Sequence, residues 1–353
     1  MQRICTSLAE NGYAVTLVGR KLPSSLPLAE KKFKQKRLHC WFKKGKLFYA
    51  EFNIRLYWYL LFRKMDALCA IDLDTIMPCL KISRLKKIPR IYDAHELFTE
   101  MKEVITRPRI KKAWTRIEKR CVPQFKLGYT VSEGIAEEFK QRYGVNYETI
   151  RNVPVLTELW PPKKIESSFF EEGPYILYQG AVNEARGFEW LIPAMQWVDA
   201  PLIICGDGNF MPALRSLIEK YNVQNKIGLM GMIPPDNLKA YSRNAAIGIS
   251  LAEKEGLNQW MALPNKFFDY VHAALPQVTM NYPEYRKIND QYEVALLIDE
   301  PEPKKIAETI NKLLADPVLH NRLKENCKKA REIFNWQQEE QKLISFYQAV
   351  FNK

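Results

Sequence analysis

YILYQGAVNEARGFEWLIPAM, residues 175–195, decides how the rest of the chain is read. Tyr175 to Gln179 is a short, almost wholly apolar run, the pattern of a buried strand. Gly180 ends it, a turn covers Ala181 to Gly187, and Phe188 to Met195 carries helical spacing. A strand passing through a glycine-bounded turn into a helix is the opening of a βαβ unit. The form repeats downstream. Pro201 to Cys205 (PLIIC) is a strand ending at Gly206-Asp207-Gly208, and Met211 to Tyr221 is a helix. Further strands are predicted at Ile227–Met230, Ile247–Leu251, Gln277–Met280 and Glu293–Ile298, with helices at Leu238–Asn244 and Asn265–Ala274. Helices fill most of Pro303 to Phe351.

Upstream the same alternation holds. Thr6 to Asn11 reads as a helix end stopped by Gly12, and Tyr13 to Gly19 as a strand. Helices are predicted at Phe48–Lys64, Thr75–Lys86 and Ile110–Cys121. Strands are predicted at Ala67–Ile71, Arg90–Asp93 and Leu127–Val131. Between the halves, Arg151 to Ser167 contains Pro154, Pro161 and Pro162 and reads as a linker. The fold class is therefore α/β, with two Rossmann-like, doubly wound parallel-sheet domains facing a cleft. The first spans 1–155 and the second 156–335. Ligands of such sheets bind beyond the carboxyl ends of the strands, and clefts between domains are preferred sites.

The composition is globular, with 47% hydrophobic and 26% charged residues among 353, and a net charge of +13. A basic surface suits phosphates, anionic membranes or nucleic acid. No zinc-finger spacing, RNA-binding signature or arginine-rich tract is present, so no nucleic-acid partner is expected. Seven scattered cysteines without a C-x-x-C pair fit a reducing cytoplasm. Four histidines without an H-E-x-x-H pattern give no metal site, and no cofactor is expected. The first residues lack the apolar core of a signal peptide. The most membrane-like stretch, FYAEFNIRLYWYLLFRK (48–64), is interrupted by Glu51, Arg55 and Arg63. It reads first as an amphipathic helix packed on a sheet, and its aromatic and basic content also suits a bilayer surface.

Some residues are placed for chemistry. Gly180 lets backbone approach a ligand closely. Arg186 stands just before a helix whose free N–H groups favour anions, where a guanidinium binds a diphosphate through two parallel hydrogen bonds. An ordinary turn with a surface arginine is the plain alternative. In Leu263-Pro264-Asn265-Lys266-Phe267-Phe268-Asp269-Tyr270, Pro264 or Asn265 starts a helix, and Lys266 and Asp269 share one face. The lysine suits phosphate oxygens and the carboxylate suits ribose hydroxyls. A surface ion pair is the competing reading. In the first half, Asp93-Ala94-His95-Glu96 ends a strand. His95 there is suited to a sugar hydroxyl or to charge near an anomeric carbon. Asp72 and Asp74 follow another strand and read as cleft-lining or capping residues, not metal ligands. Ser132 and Asn152 line or cap the same cleft edge.

The series Y-Q-G-x5-R-G-x-E-x-L-x-x-A (Tyr178 to Ala194), C-G-D-G (Cys205 to Gly208), M-G-x-I-P-x-x-x-L (Met230 to Leu238) and L-P-N-K-F-F-D-Y (Leu263 to Tyr270) resembles the family 4 retaining glycosyltransferases, of the kind that assemble bacterial surface polysaccharides. The likeness runs over nearly the whole chain and implies the GT-B architecture. It implies that Arg186 and Lys266 hold the donor diphosphate, and that Gly206, Asp207 and Gly208 lie near the nucleotide base. Asp269 takes the place of the second glutamate of the family's pair, on ribose, and His95 is an active-site residue with Glu96 beside it. It further implies a helix over 336–353 crossing back to the first domain. Sugar transfer would be metal-independent and would proceed with retention by same-face attack, the departing phosphate assisting removal of the acceptor's proton. The implied partners are a nucleotide-sugar donor and a glycan or lipid-linked acceptor. The cysteine usage, the basic charge and the 48–64 stretch suit a place in the cytoplasm, peripheral on the anionic inner face of the membrane.

The chain departs from the family at Ala181, where an arginine is usual, and at Met261, the position of the first glutamate; Glu253 or Glu255 is the candidate replacement. The usual first strand and its acceptor-side turn are also missing ahead of Met1-Gln2-Arg3. That gap is expected to leave unpaired sheet edges and low stability. A nucleotide-sugar 2-epimerase and a catalytically impaired nucleotide-binding scaffold share the architecture. A dinucleotide oxidoreductase is disfavoured, because no G-x-G-x-x-G follows a strand.

Overall fold

The computed structural model describes residues 1–23, 25, 27–159 and 173–352, so the last part of the predicted linker, 160–167, lies outside the described residues. The chain divides into two compact units, residues 1–151 with 337–353 (unit 1) and residues 152–336 (unit 2).

Unit 1 begins with α1 (Gln2–Glu10), β1 (Thr16–Lys21), β2 (Lys34–His39), α2 (Gly45–Leu61), β3 (Leu68–Ile71), α3 (Ile76–Lys86) and β4 (Arg90–Ala94). It continues with α4 (Lys102–Ile105), α5 (Pro108–Cys121), β5 (Leu127–Thr130), α6 (Glu133–Tyr143) and β6 (Glu148–Thr149). Its strands fall in two parallel sheets, β1-β2 and β3-β4-β5-β6. Among the described residues β1 pairs only with β2 and β3 only with β4, so each has one open edge. The sequence reading missed β2. Its residues, KQKRLH, bury only Leu38, so the ladder to β1 makes this strand rather than an apolar pattern. β1 also starts three residues later than predicted, because Tyr13 leaves the strand to meet the rings of Tyr347 and Phe351.

Unit 2 runs β7 (Ile176–Gln179), α7 (Phe188–Ala194), β8 (Leu202–Cys205), α8 (Met211–Lys220), β9 (Ile227–Gly231), α9 (Pro235–Asn244) and β10 (Ile247–Ser250). It goes on with α10 (Leu257–Met261), α11 (Asn265–His272), β11 (Gln277–Met280), α12 (Pro283–Tyr292), β12 (Ala295–Ile298), α13 (Pro303–Ala315) and α14 (Pro317–Ile333). The six strands form one parallel sheet in the order β12-β11-β10-β7-β8-β9. β7, β8, β10 and β11 are buried along their whole length, as expected of parallel strands covered on both faces. Side chains alternate between two cores: Ile176, Tyr178, Leu202 and Ile204 face one, and Leu177, Ile203 and Cys205 the other. The chain winds outward from β7 to β9, then returns across β7 to lay down β10. That reversal makes the β7/β10 boundary the topological switch point of the sheet.

The last helix, α15 (Trp336–Phe351), belongs to unit 1 from residue 337 onward. Phe346 meets the Tyr129 ring edge-on at 5.4 Å. The division falls after Arg151 rather than after residue 155. The Arg151 backbone N–H donates to Glu339 of α15 at 2.9 Å, whereas Asn152 bonds Asn265 of α11.

Candidate active site

Unit 2 builds its site at the carboxyl ends of β7 and β10. Gly180 follows β7 with φ of +119°, a backbone state that side chains oppose. A Cβ on Gly206 would fall 1.8 Å from the Gly180 carbonyl oxygen, so the turns after β7 and β8 touch backbone to backbone. Three hydrogen bonds zip them together: Gly180 N–H to Cys205 O, Val182 N–H to Asp207 O and Phe210 N–H to Val182 O, each 3.0 Å. Gly208 is packed the same way against Val182, while Asp207 is exposed and accepts the Gly208 N–H at 2.7 Å. The absence of side chains at 206 and 208 is thus explained by contact between turns. Arg186 stands between Ala185 and Gly187, both with positive φ, and Ala185 O accepts the Glu253 N–H at 3.2 Å. The loop after β10 therefore backs the arginine's turn and fixes its course.

Lys266, one residue into α11, reaches the same place. Its Nζ lies 3.5 Å from the centre of the Tyr178 ring, and its side chain passes beside Gly180. Burial holds the ammonium well below its usual pKa; the Arg186 guanidinium pushes it down further and Asp269 opposes. A turn and a helix start thus bring an arginine and a lysine near enough to feel each other's charge. Behind them, Asp269 Oδ2 accepts from Gln179 Nε2 at 2.9 Å, and Gln179 Oε1 accepts from Ser242 Oγ at 2.7 Å. The Tyr270 hydroxyl accepts the Gln179 N–H and donates to Leu177 O, riveting α11 to β7. Asn265 is exposed at the head of α11, where its Oδ1 accepts from Asn152.

Unit 1 gathers a second cluster at the ends of β3 and β4. Asp72 has φ of +52°; its N–H donates to Asp93 O and its Oδ1 accepts the His95 N–H, both at 2.9 Å. His95 Nε2 lies 3.2 Å from Oδ1 of Asp93, which is 1% exposed and whose Oδ2 has no hydrogen-bond partner among the described residues. Burial raises the Asp72 carboxyl to about 7, with Asp93 and Glu96 adding to the rise and His95 opposing it. Burial pulls His95 down, but the bond and charge of Asp93 and the charge of Asp72 outweigh it, and the imidazole titrates above its usual value. Asp72, Asp93, His95 and Glu96 thus form one electrostatic group. Asp74 does not join it: it lines a groove among α2, α3 and α5, and burial raises its carboxyl to about 6. Ser132 caps α6, accepting the Ile135 N–H at 3.3 Å.

With this geometry in place, the comparisons with known proteins are specific. Residues 1–155 match the family described as Glycosyltransferase Family 4, and residues 162–330 match Glycosyl transferases group 1. The chain is 22% identical over 169 residues to alpha-D-kanosaminyltransferase of Streptomyces kanamyceticus, a stretch covering 44% of this chain and 40% of that protein. The fold matches sucrose-phosphate synthase of Thermosynechococcus elongatus with a TM-score of 0.81 at 17% identity, covering 99% of this chain and 92% of the other. It matches Anabaena HepE in complex with UDP-glucose with a TM-score of 0.69 at 12% identity, covering 90% and 86%. The chain belongs to the group 1 and family 4 glycosyltransferases.

This glycosyltransferase has the GT-B fold of two Rossmann-like units. Tyr178 and Gln179 were missed as site residues. Both lay in the quoted Y-Q-G series, and an aromatic ring and an amide at the end of a buried strand were the signal available. Glu253 is placed beside the Arg186 turn through its backbone, which spacing alone did not specify.

Proposed function

We propose that the chain is a retaining hexosyltransferase that takes its sugar from a nucleoside-diphosphate donor and passes it to a glycan or lipid-linked acceptor. One observation carries the reading: the Lys266 amine lies over Tyr178 and beside Gly180, at the start of the turn that carries Arg186, whose charge pushes the lysine's pKa down, an arrangement an anion relieves. A diphosphate placed there is bound by a fork-shaped guanidinium and a compact ammonium, with the Gly180 backbone alongside. As the bond from the anomeric carbon to the phosphate oxygen breaks, negative charge grows on the departing diphosphate, and the two cations stabilise it without a metal. Such a preorganised donor contributes about 3–4 kcal/mol to the transition state. The acceptor oxygen attacks the same face, and its proton passes to the released phosphate oxygen. On unit 1, His95 bonds a sugar hydroxyl, with Asp93 holding its ring. The fold family's GT-B relative bound to UDP-glucose supports a nucleotide-sugar donor. Cytoplasmic placement with peripheral contact to an anionic membrane surface is part of the reading.

The test is transfer from a panel of nucleoside-diphosphate sugars with a chelator present, the anomeric configuration of the product being read by proton NMR. Retained configuration and undiminished turnover are expected. Inversion, or loss of turnover with the chelator, overturns the proposal.

A further inference from the structure

Helix α2 is apolar on two opposite faces. Phe52, Leu56 and Leu60 are buried in unit 1. Leu47, Ile54 and Trp58, with Phe62 just past the helix end, fall on the other face and are 52–77% exposed. A helix that only packs on its own core carries one apolar stripe, so the second stripe calls for a partner. Trp58 and Phe62 stack with ring centres 6.2 Å apart, and Trp41, ahead of the helix, is 75% exposed. The stripe borders a groove of about 500 Å³ among α2, α3 and α5, lined by Ile54, Tyr57, Trp58, Met77, Trp114 and Ile117. Tyr49 and Trp114 meet edge-on at 5.2 Å and join α2 to α5.

Helix α5 supplies the charge. Arg109, Lys112, Arg116, Lys119 and Arg120 lie along one face, all exposed, and none forms an ion pair among the described residues. The helix's own carboxylate, Glu118, is buried and accepts from Thr99 and Tyr143 instead. An open row of cations beside a row of bulky apolar and indole side chains matches a surface that is anionic outside and hydrocarbon just beneath. We propose that unit 1 seats α2 and α5 on an anionic lipid bilayer, the Leu47-Ile54-Trp58-Phe62 stripe entering the headgroup boundary and the α5 cations meeting lipid phosphates. This rests on the membrane-contact part of the functional reading and names the surface that makes it.

The full chain is floated with phosphatidylcholine vesicles and with vesicles containing phosphatidylglycerol. Binding only to the anionic vesicles, weakened by salt, is expected. Lys112→Glu with Arg116→Glu weakens it about 25-fold or more, at about fivefold per cation. Trp58→Ser with Phe62→Ser weakens it at least about tenfold through lost apolar burial. Both double variants keep wild-type melting and wild-type transfer to a soluble acceptor, so a docking failure is read separately from a failure of the transferase reading. Equal binding to neutral and anionic vesicles, wild-type binding by either variant, or retention on single-stranded RNA without vesicle binding overturns the proposal.

Discussion

Unit 2 lays six parallel strands in one sheet, with β7 and β10 at its centre; unit 1 divides its strands between β1-β2 and β3-β4-β5-β6. The two candidate sites differ in the same way. In unit 2, glycine contacts and backbone hydrogen bonds lock the turns, and the groups presented are a guanidinium and a lysine amine whose burial opposes its charged form. In unit 1, the charges are buried acids and a histidine whose states depend on bound protons. A continuous sheet gives a rigid anion cradle, whereas a divided one carries a group that titrates near neutrality.

The largest break in that comparison comes from Lys266→Ala. Sugar transfer in a steady-state assay is expected to fall about 100- to 1,000-fold, the cost of one preorganised charge donor. A change of only a few-fold removes the diphosphate assignment. Next is a pair of glycine replacements. Gly206→Ala drives a methyl into the Gly180 carbonyl and costs unit 2 about 3 kcal/mol in chemical denaturation. Gly19→Ala in β1, where a Cβ meets nothing within 4 Å, changes stability by less than about 0.5 kcal/mol. Equal effects would show that the unit 2 cradle is not tightly built.

Proton dependence separates the units further. Asp72 (to about 7), Asp74 (to about 6), Glu118 and His95 all titrate higher in the folded chain than in ordinary peptides. The folded unit 1 therefore binds protons more tightly, and its stability falls as pH rises through about 6 and about 7, where Asp74 and Asp72 lose their protons. Lys266 shifts the opposite way. Its depressed value stabilises unit 2 as pH rises through it and costs stability as pH falls. Amide exchange followed separately in β4 and β7 reads both trends, and parallel trends would contradict the account. The open edges of β1 and β3 also predict faster exchange in β3 than in β10. The smallest effect belongs to Asp93→Asn. It removes the charge that raises His95 and moves the pH dependence of transfer to lower pH, with diphosphate binding unchanged.

The strands of unit 2 were legible because burial on both faces writes them as continuous apolar runs, as in Leu202–Cys205. β2 was not, since its charged residues become a strand only by pairing with β1. Arg186 and Lys266 could be singled out from a turn and a helix start. The Gln179–Asp269 bond that ties α11 to β7 joins residues 90 positions apart, and no local pattern records it. Asp72 holding the backbone of His95 is similarly a product of two adjacent strand ends, invisible until β3 and β4 pair.

The most direct test is calorimetric titration of wild-type protein and Lys266→Ala with a nucleoside diphosphate and the matching monophosphate, a chelator being present. Wild-type protein is expected to prefer the diphosphate by about tenfold or more, and the variant to lose that preference. Equal affinity for the two nucleotides in wild-type protein, or an undiminished preference in the variant, contradicts the claim that Arg186 and Lys266 grip a pyrophosphate.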